Sequence, residues 1–147
     1  GETDRDMVDT IYRAHMLGAR THLFSFYPEA GSRLEDRDMP DLLSYRKIQI
    51  AAYLINQKHL SPDIITFDNS GTITGFDHDL DEVVEEGFAF MTSGCPGTDD
   101  RYAACNRPLA NERPSQAFRN YPFIPDEDDR DNIREQIKSL LPEKTPV

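Results

Sequence analysis

The chain has 147 residues, with 27 Asp and Glu against 16 Lys and Arg, and a formal net charge of −11. That length suits one ordinary domain with a real core, and the acidic balance argues against nucleic-acid binding, which needs a basic face to displace counterions. No apolar run approaches the ~18–20 residues that cross a bilayer, and no export signal is present, so the expectation is a cytoplasmic protein without a membrane partner.

The chain opens "GETDRDMVDTIYRAHMLGA". Thr3 reads as a helix N-cap, with Asp4 and Asp6 in the first turn where the helix dipole favours acids. Met7, Val8, Ile11, Tyr12, Ala14 and His15 follow helical spacing, and Gly18 reads as the stop. In "THLFSFYP", Leu23, Phe24, Phe26 and Tyr27 form a short, nearly continuous apolar run ended by Pro28. Such a run suits a strand buried on both faces of a parallel sheet.

After the polar loop "EAGSRLEDRDMPD", Pro40 and Asp41 open a second helix, "LLSYRKIQIAAYLINQ". Leu43, Ile48, Ile50, Leu54 and Ile55 are its expected buried residues, and Ser61 and Pro62 break it. "DIITFD" reads as a second apolar strand, and "DNSG" as a turn into "TITGF". "DLDEVVEEGFAF" reads as a short helix leading into a segment rich in Gly, Pro, Asn and Arg. "DEDDRDNIREQIKSLL" closes the pattern as an amphipathic helix, with Ile133, Ile137, Leu140 and Leu141 on one stripe.

Alternating strands and helices predict an α/β fold with a parallel sheet and right-handed crossovers. Two or three parallel strands cannot cover both faces of such a sheet. Gly1-Glu2-Thr3 also runs into a helix as a strand-to-helix loop would, with no strand before it. The expectation is therefore part of a larger α/β unit. A hydrophobic share of 37%, below the usual for a compact globule, fits a surface that belongs against a partner or a tail.

The two cysteines, Cys95 and Cys105, lie in "MTSGCPGTDDRYAACNRPLANERPSQAFRNYPF", residues 91–123. They admit a single bridge, two free thiols or two metal ligands. Irregular backbone can turn amide N–H groups toward cluster sulfurs. Arg101, Arg107, Arg113 and Arg119 could balance a cluster's negative charge or grip an anionic substrate. Four thiolates hold an all-cysteine cluster, so further ligands would come from elsewhere, from Ser115 or from substrate. A zinc site lacks a second Cys or His pair at ligand spacing. Asn111, Glu112, Arg113 and Pro114 read equally as a strut or as a substrate contact. The four histidines, His15, His22, His59 and His78, are scattered and carry no assigned role.

"GET" before a helix, "LFSFYPEAGSRLED" and "RKIQIAAYLI" together resemble the C-terminal half of radical S-adenosylmethionine enzymes. The closest resemblance is to biotin synthase and the biotin synthase-related group. Gly1, Glu2 and Thr3 match the end of that family's Gly-Leu-Gly-Glu-Thr turn. Pro28, Gly31, Ser32 and Leu34 match its Pro-x-x-Gly-Thr/Ser-x-Leu loop. The Cys-Pro…Cys-Asn-Arg-Pro…Asn-Glu-Arg-Pro segment resembles the group's C-terminal signature, so the likeness covers roughly residues 1–125.

The resemblance implies a partial (β/α) barrel, the C-terminal half of a TIM-like barrel, over residues 1–90. A Cys/Arg/Pro-rich extension (91–125) and a C-terminal amphipathic helix and tail (126–147) would follow. It implies reductive cleavage of S-adenosylmethionine by a [4Fe–4S] cluster and hydrogen abstraction from an unactivated carbon. Sulfur insertion of the biotin or lipoyl synthase type would follow in some relatives, on a small-molecule or lipoyl-type substrate.

The implied cofactor residues are Glu2, Ser25, Tyr27 and Glu29; the substrate residues are Arg107 and Arg113; and the auxiliary-cluster ligands are Cys95 and Cys105. On residue chemistry alone, Glu2 reads first as a first-turn helix acid stabilised by the dipole, and most of Leu23–Pro28 is core. Two departures stand out. The Cys-x3-Cys-x2-Cys loop that holds the family's main cluster is absent, which implies a missing N-terminal half-barrel or a partner chain. The two cysteines are also spaced more widely than in the group, as if "TDDRYAA" were inserted. The alternative is a non-catalytic interaction module with a disulfide or free thiols.

Overall fold

The structure is a computed structural model that describes residues 1–92 and 118–142. Its centre is the helix α2 (Leu42–Asn56), buried almost all round from Tyr45 to Ile55. One side of it packs on α1 (Asp4–Met16) and on a hairpin of β1 (Ile65–Phe67) and β2 (Ile73–Phe76). Val8, Ile11, Ile48, Ala51, Ala52, Ile55, Ile65 and Ile73 form that core. The other side packs on α3 (Leu80–Glu86) and α4 (Glu127–Gln136). There Ile50, Tyr53 and Leu54 meet Val83, Val84, Phe90, Tyr121, Ile133 and Ile137.

Each helix begins at a side-chain cap that the sequence supplies. Thr3 and Asp6 cap reciprocally: Asp6 N–H donates to Thr3 Oγ1 at 3.2 Å, and Thr3 N–H donates to Asp6 Oδ2 at 2.9 Å. Asp41 accepts from Ser44 N–H at 2.8 Å, Asp79 from Asp81 N–H at 2.9 Å, and Asp126 from Asp129 N–H at 3.0 Å. Each bond satisfies one of the donors that a helix start leaves open. α1 ends at Leu17, just before Gly18.

The partial (β/α) barrel does not form, and the corrected description is a small mixed α/β domain. The described residues contain one two-stranded sheet, and it is antiparallel. Parallel strands need a crossover of a dozen or more residues, whereas the turn 68–72 is a tight one. Asp68 Oδ1 accepts from Ser70 N–H at 2.8 Å and from Thr72 N–H at 2.9 Å, and this closes the turn. Segment 22–27 is not a strand. Phe24 is 68% exposed and only Ser25 of this stretch is buried. A continuous apolar run carries no period, so it could not distinguish a ladder strand from an irregular segment laid over a core.

Gly87 ends α3 in the left-handed region, at φ +73°. A Cβ placed there would lie 2.9 Å from Pro125 Cδ, inside contact distance. Gly87 thus combines a backbone that disfavours side chains with the closest approach of the 120s segment to α3. Gly87→Ala is expected to destabilise the fold by about 1–3 kcal/mol, measured as a lower midpoint in urea unfolding with an unchanged slope.

Candidate functional site

The chain leaves the described core at Thr92 and re-enters it at Phe118, and the two ends lie together. Met91 and Tyr121 form an isolated parallel bridge. Thr92 N–H donates to Tyr121 C=O at 2.8 Å, and Tyr121 N–H donates to Phe90 C=O at 2.9 Å. The segment that carries both cysteines is therefore pinned at its base.

The pin is held from α2. Arg46 has no accessible surface. Its Nε donates to Gln136 Oε1 of α4 at 2.9 Å, and its Nη1 donates to Gln49 Oε1 at 2.6 Å. It also donates to the Arg119 carbonyl, and through Nη2 to the Phe118 carbonyl at 2.7 Å. Gln49 Nε2 donates to the Arg119 carbonyl at 2.8 Å and to Asn120 Oδ1 at 2.9 Å. Asn120 Nδ2 donates to the Tyr45 hydroxyl at 2.9 Å. The guanidinium lies 5.4 Å from the Phe90 ring centre and 5.7 Å from that of Tyr121. Both rings can add cation–π attraction in this dry setting. Burial pushes the Tyr121 phenol up from its ordinary value, against the lowering pull of Arg46.

Sequence reading left Arg46, Gln49 and Asn120 without a role. Arg46 lies four residues before Ile50 and seven before Tyr53, on a stripe that faces the core. A polar residue at such a register was the available signal.

Of the expected site residues, Glu2, Ser25, Tyr27 and Glu29 lie among the described ones. Glu2 is exposed at the start of α1, and its carboxylate lies 3.1 Å from the N-terminal ammonium of Gly1. That hydrogen-bonded, charged neighbourhood holds its carboxyl below the usual range. Ser25, Tyr27 and Glu29 lie on the irregular stretch between α1 and α2, buried, half-buried and exposed respectively. Among the described residues, no hydrogen bond or ion pair joins Glu2 to Ser25 or Glu29. Cys95, Cys105, Arg107 and Arg113 lie outside the described residues, as do Arg101, Asn111, Glu112, Pro114 and Ser115. Among the described residues there is no cluster of three or more His, Cys, Asp or Glu placed to hold a metal ion.

A second polar group fixes the other end of α2. The Tyr53 hydroxyl donates to Glu86, and Lys58 Nζ donates to the same carboxylate at 2.6 Å. Burial, followed by the bond to Glu86, pushes the Tyr53 phenol up to about 12. Lys58 and Tyr53 hold the Glu86 carboxyl below its ordinary value.

Comparison of the chain with protein-family models, with curated proteins and with solved structures finds no match. No helix among the described residues is long and apolar enough to cross a membrane.

Arg46→Met removes the Arg46 donor from the Phe118 carbonyl and leaves the Arg119 carbonyl with Gln49 alone. It is expected to cost about 3–5 kcal/mol and to raise hydrogen exchange at the Thr92 and Tyr121 amides beyond the global change. Arg46→Lys, which keeps the charge but not the fork of donors, should recover less than half of the loss. Glu86→Gln tests the second group. A lowered folded pKa contributes stability above the unfolded value that is lost as pH falls through the folded one. The variant should be less stable at pH 7 by about 0.5–1 kcal/mol. The gap to wild type in thermal unfolding should close as pH drops below the ordinary value of 4.5.

Proposed function

We propose that this chain is a C-terminal part of a radical S-adenosylmethionine enzyme of the biotin synthase-related group, acting in sulfur insertion at an unactivated carbon in the cytoplasm. Its share of that work is to present Cys95 and Cys105 as ligands of an auxiliary iron–sulfur cluster. Arg107 and Arg113 are its contacts to an anionic substrate. The observation that carries the reading is the pinned base: backbone hydrogen bonds join Phe90 and Thr92 to Tyr121, and Arg46 and Gln49 spend buried hydrogen bonds on residues 118–120, where the described chain returns. A segment of Gly, Pro, Asn and Arg gains little from packing, so a costly buried cation at its base is best explained by a need to fix its position. The order of the sequence motifs supports the same reading.

An iron–sulfur cluster, when bound, supplies one-electron chemistry and sulfide. The chain's own residues do the rest. The thiolates would hold iron, the arginines would balance negative charge, and the Arg46 clamp holds the backbone where the described chain returns at Phe118 and Arg119. Two thiolates leave positions for ligands from another chain or from substrate. No step is assigned to Glu2, Ser25, Tyr27 or Glu29, whose cofactor role rests on the resemblance. The cleavage of S-adenosylmethionine falls to a partner that carries the Cys-x3-Cys-x2-Cys loop.

The second reading, a non-catalytic interaction module, is favoured by the exposure of Met16, Leu17 and Phe24, at 66%, 86% and 68%.

Anaerobic reconstitution with ferrous iron, sulfide and a small free thiol distinguishes the two. The proposal expects bound iron and acid-labile sulfide in the wild type, and loss of at least four-fifths of both in Cys95→Ala and in Cys105→Ala. Absence of iron from a chain whose two thiols both react with an alkylating probe would sink it and leave the interaction module. So would iron content that neither substitution changes.

A further inference from the structure

Two histidines far apart in sequence meet at one edge of the fold. His15 stands in the last turn of α1, and His59 stands just beyond the end of α2. His59 Nδ1 lies 3.4 Å from His15 Nε2, and the ring centres are 5.2 Å apart. Without an ion, one ring donates to the other across this gap, the direction depending on the tautomers. Two imidazoles on one tetrahedral zinc ion, at Zn–N distances of about 2.0–2.1 Å, place their nitrogens about 3.3–3.4 Å apart. Each ring centre lies about 1.2 Å behind its nitrogen, so the same geometry sets the centres about 5.2 Å apart. A single ion position is compatible with both separations.

The backbone at His59 gives an independent indication. Its φ is +57°, and it is the one non-glycine residue among those described with a positive φ. The bond from Leu60 N–H to Leu54 C=O, at 3.0 Å, closes the helix end around it. Glycine is the usual occupant of this left-handed cap position, because a Cβ is disfavoured there. Histidine is among the non-glycine residues that take this conformation most readily, and here its ring is turned onto another histidine. Both rings sit at helix C-termini, where exposed carbonyls favour a cation. His59 is exposed and His15 half-buried, so an ion can reach them.

We propose that His15 and His59 form a binding site for a divalent cation of the zinc class. The two imidazole nitrogens ligate the ion, and water fills the remaining positions. Imidazole nitrogen suits zinc and its neighbours and not magnesium. Among the described residues no third ligand-type side chain joins the pair. The site clips α1 to the turn after α2. It does not rest on the cluster proposal, since neither cysteine takes part.

The test is zinc titration of the full chain carrying Cys95→Ala and Cys105→Ala, or of the wild type with both thiols blocked. Calorimetry gives the affinity, and the histidine ring resonances report the site. The expected result is one zinc ion per chain, with His15 and His59 resonances shifting together, and no response to magnesium. His15→Ala and His59→Gly should each weaken binding at least tenfold. His59→Gly should do so while leaving the metal-free melting temperature unchanged or higher, because glycine suits that backbone. Loss of binding there therefore cannot be misfolding. The proposal is overturned if either substitution weakens binding less than tenfold, if the shifts appear at His22 or His78 instead, or if millimolar zinc produces neither heat nor shift.

Discussion

A guanidinium does not lose its proton in a protein, so one buried without accessible surface must be met by acceptors. Arg46 is such a group, and its acceptors determine how this chain is assembled. They come from Gln49 on the same helix, from Gln136 on α4 and from the carbonyls of Phe118 and Arg119. One side chain thereby joins the central helix, the last helix and the return limb of the cysteine segment. The Arg119 carbonyl accepts from both Arg46 and Gln49, which uses both of its lone pairs. The backbone of residues 118–120 belongs to no strand or helix, yet its buried groups still require partners. Side chains of α2 provide them where a neighbouring strand would otherwise do so.

The two halves of α2 do different work. From Ile50 to Ile55 it is apolar, and it separates the two hydrophobic cores. Ala51 and Ala52 are small, so α1 can lie close. Hydrophobic burial contributes most of the stability but carries no direction. From Tyr45 to Gln49 the helix is largely polar and pairs with named atoms. Hydrogen bonds add less net stability per group, but they fail when misaligned and so fix position. The helix therefore gains its hold on α1 and the hairpin from area, and its hold on residues 118–121 from geometry.

Local chemistry was largely legible in the sequence, and pairing was not. Thr3, Asp41 and Asp79 cap helices as their residue types predict, because a cap needs only the three or four residues that follow it. The hairpin turn was readable for the same reason, since Asp68, Ser70 and Gly71 close it among themselves. Leu23–Pro28 misled because an unbroken apolar run predicts burial without saying on what. The resemblance that made it a barrel strand supplied a neighbour that the fold does not contain. Arg46 was within reach, since an arginine in step with Ile50 and Tyr53 has to enter the core. Its partners were not, because nothing local connects it to Gln136 or Arg119. The meeting of His15 with His59 is likewise a product of how α1 packs on α2.

The same helix keeps two kinds of chemistry apart. The clamp under the cysteine segment lies near the N-terminal end of α2, and the histidine pair lies beyond its C-terminal end. Roughly 15 Å of helix separates Arg46 from Asn56 at 1.5 Å per residue, too far for one ion to share ligands from both ends. Thiolates select soft metals and clusters, whereas imidazoles also accept zinc without sulfur. A cluster on the cysteines and a single ion on the histidines would therefore draw on different ligands. Both would act on the fold through α2. Each end of the helix has its own polar partners, Gln136, Arg119 and Asn120 near its start and Glu86 near its finish, and the apolar stretch between them keeps the spacing constant.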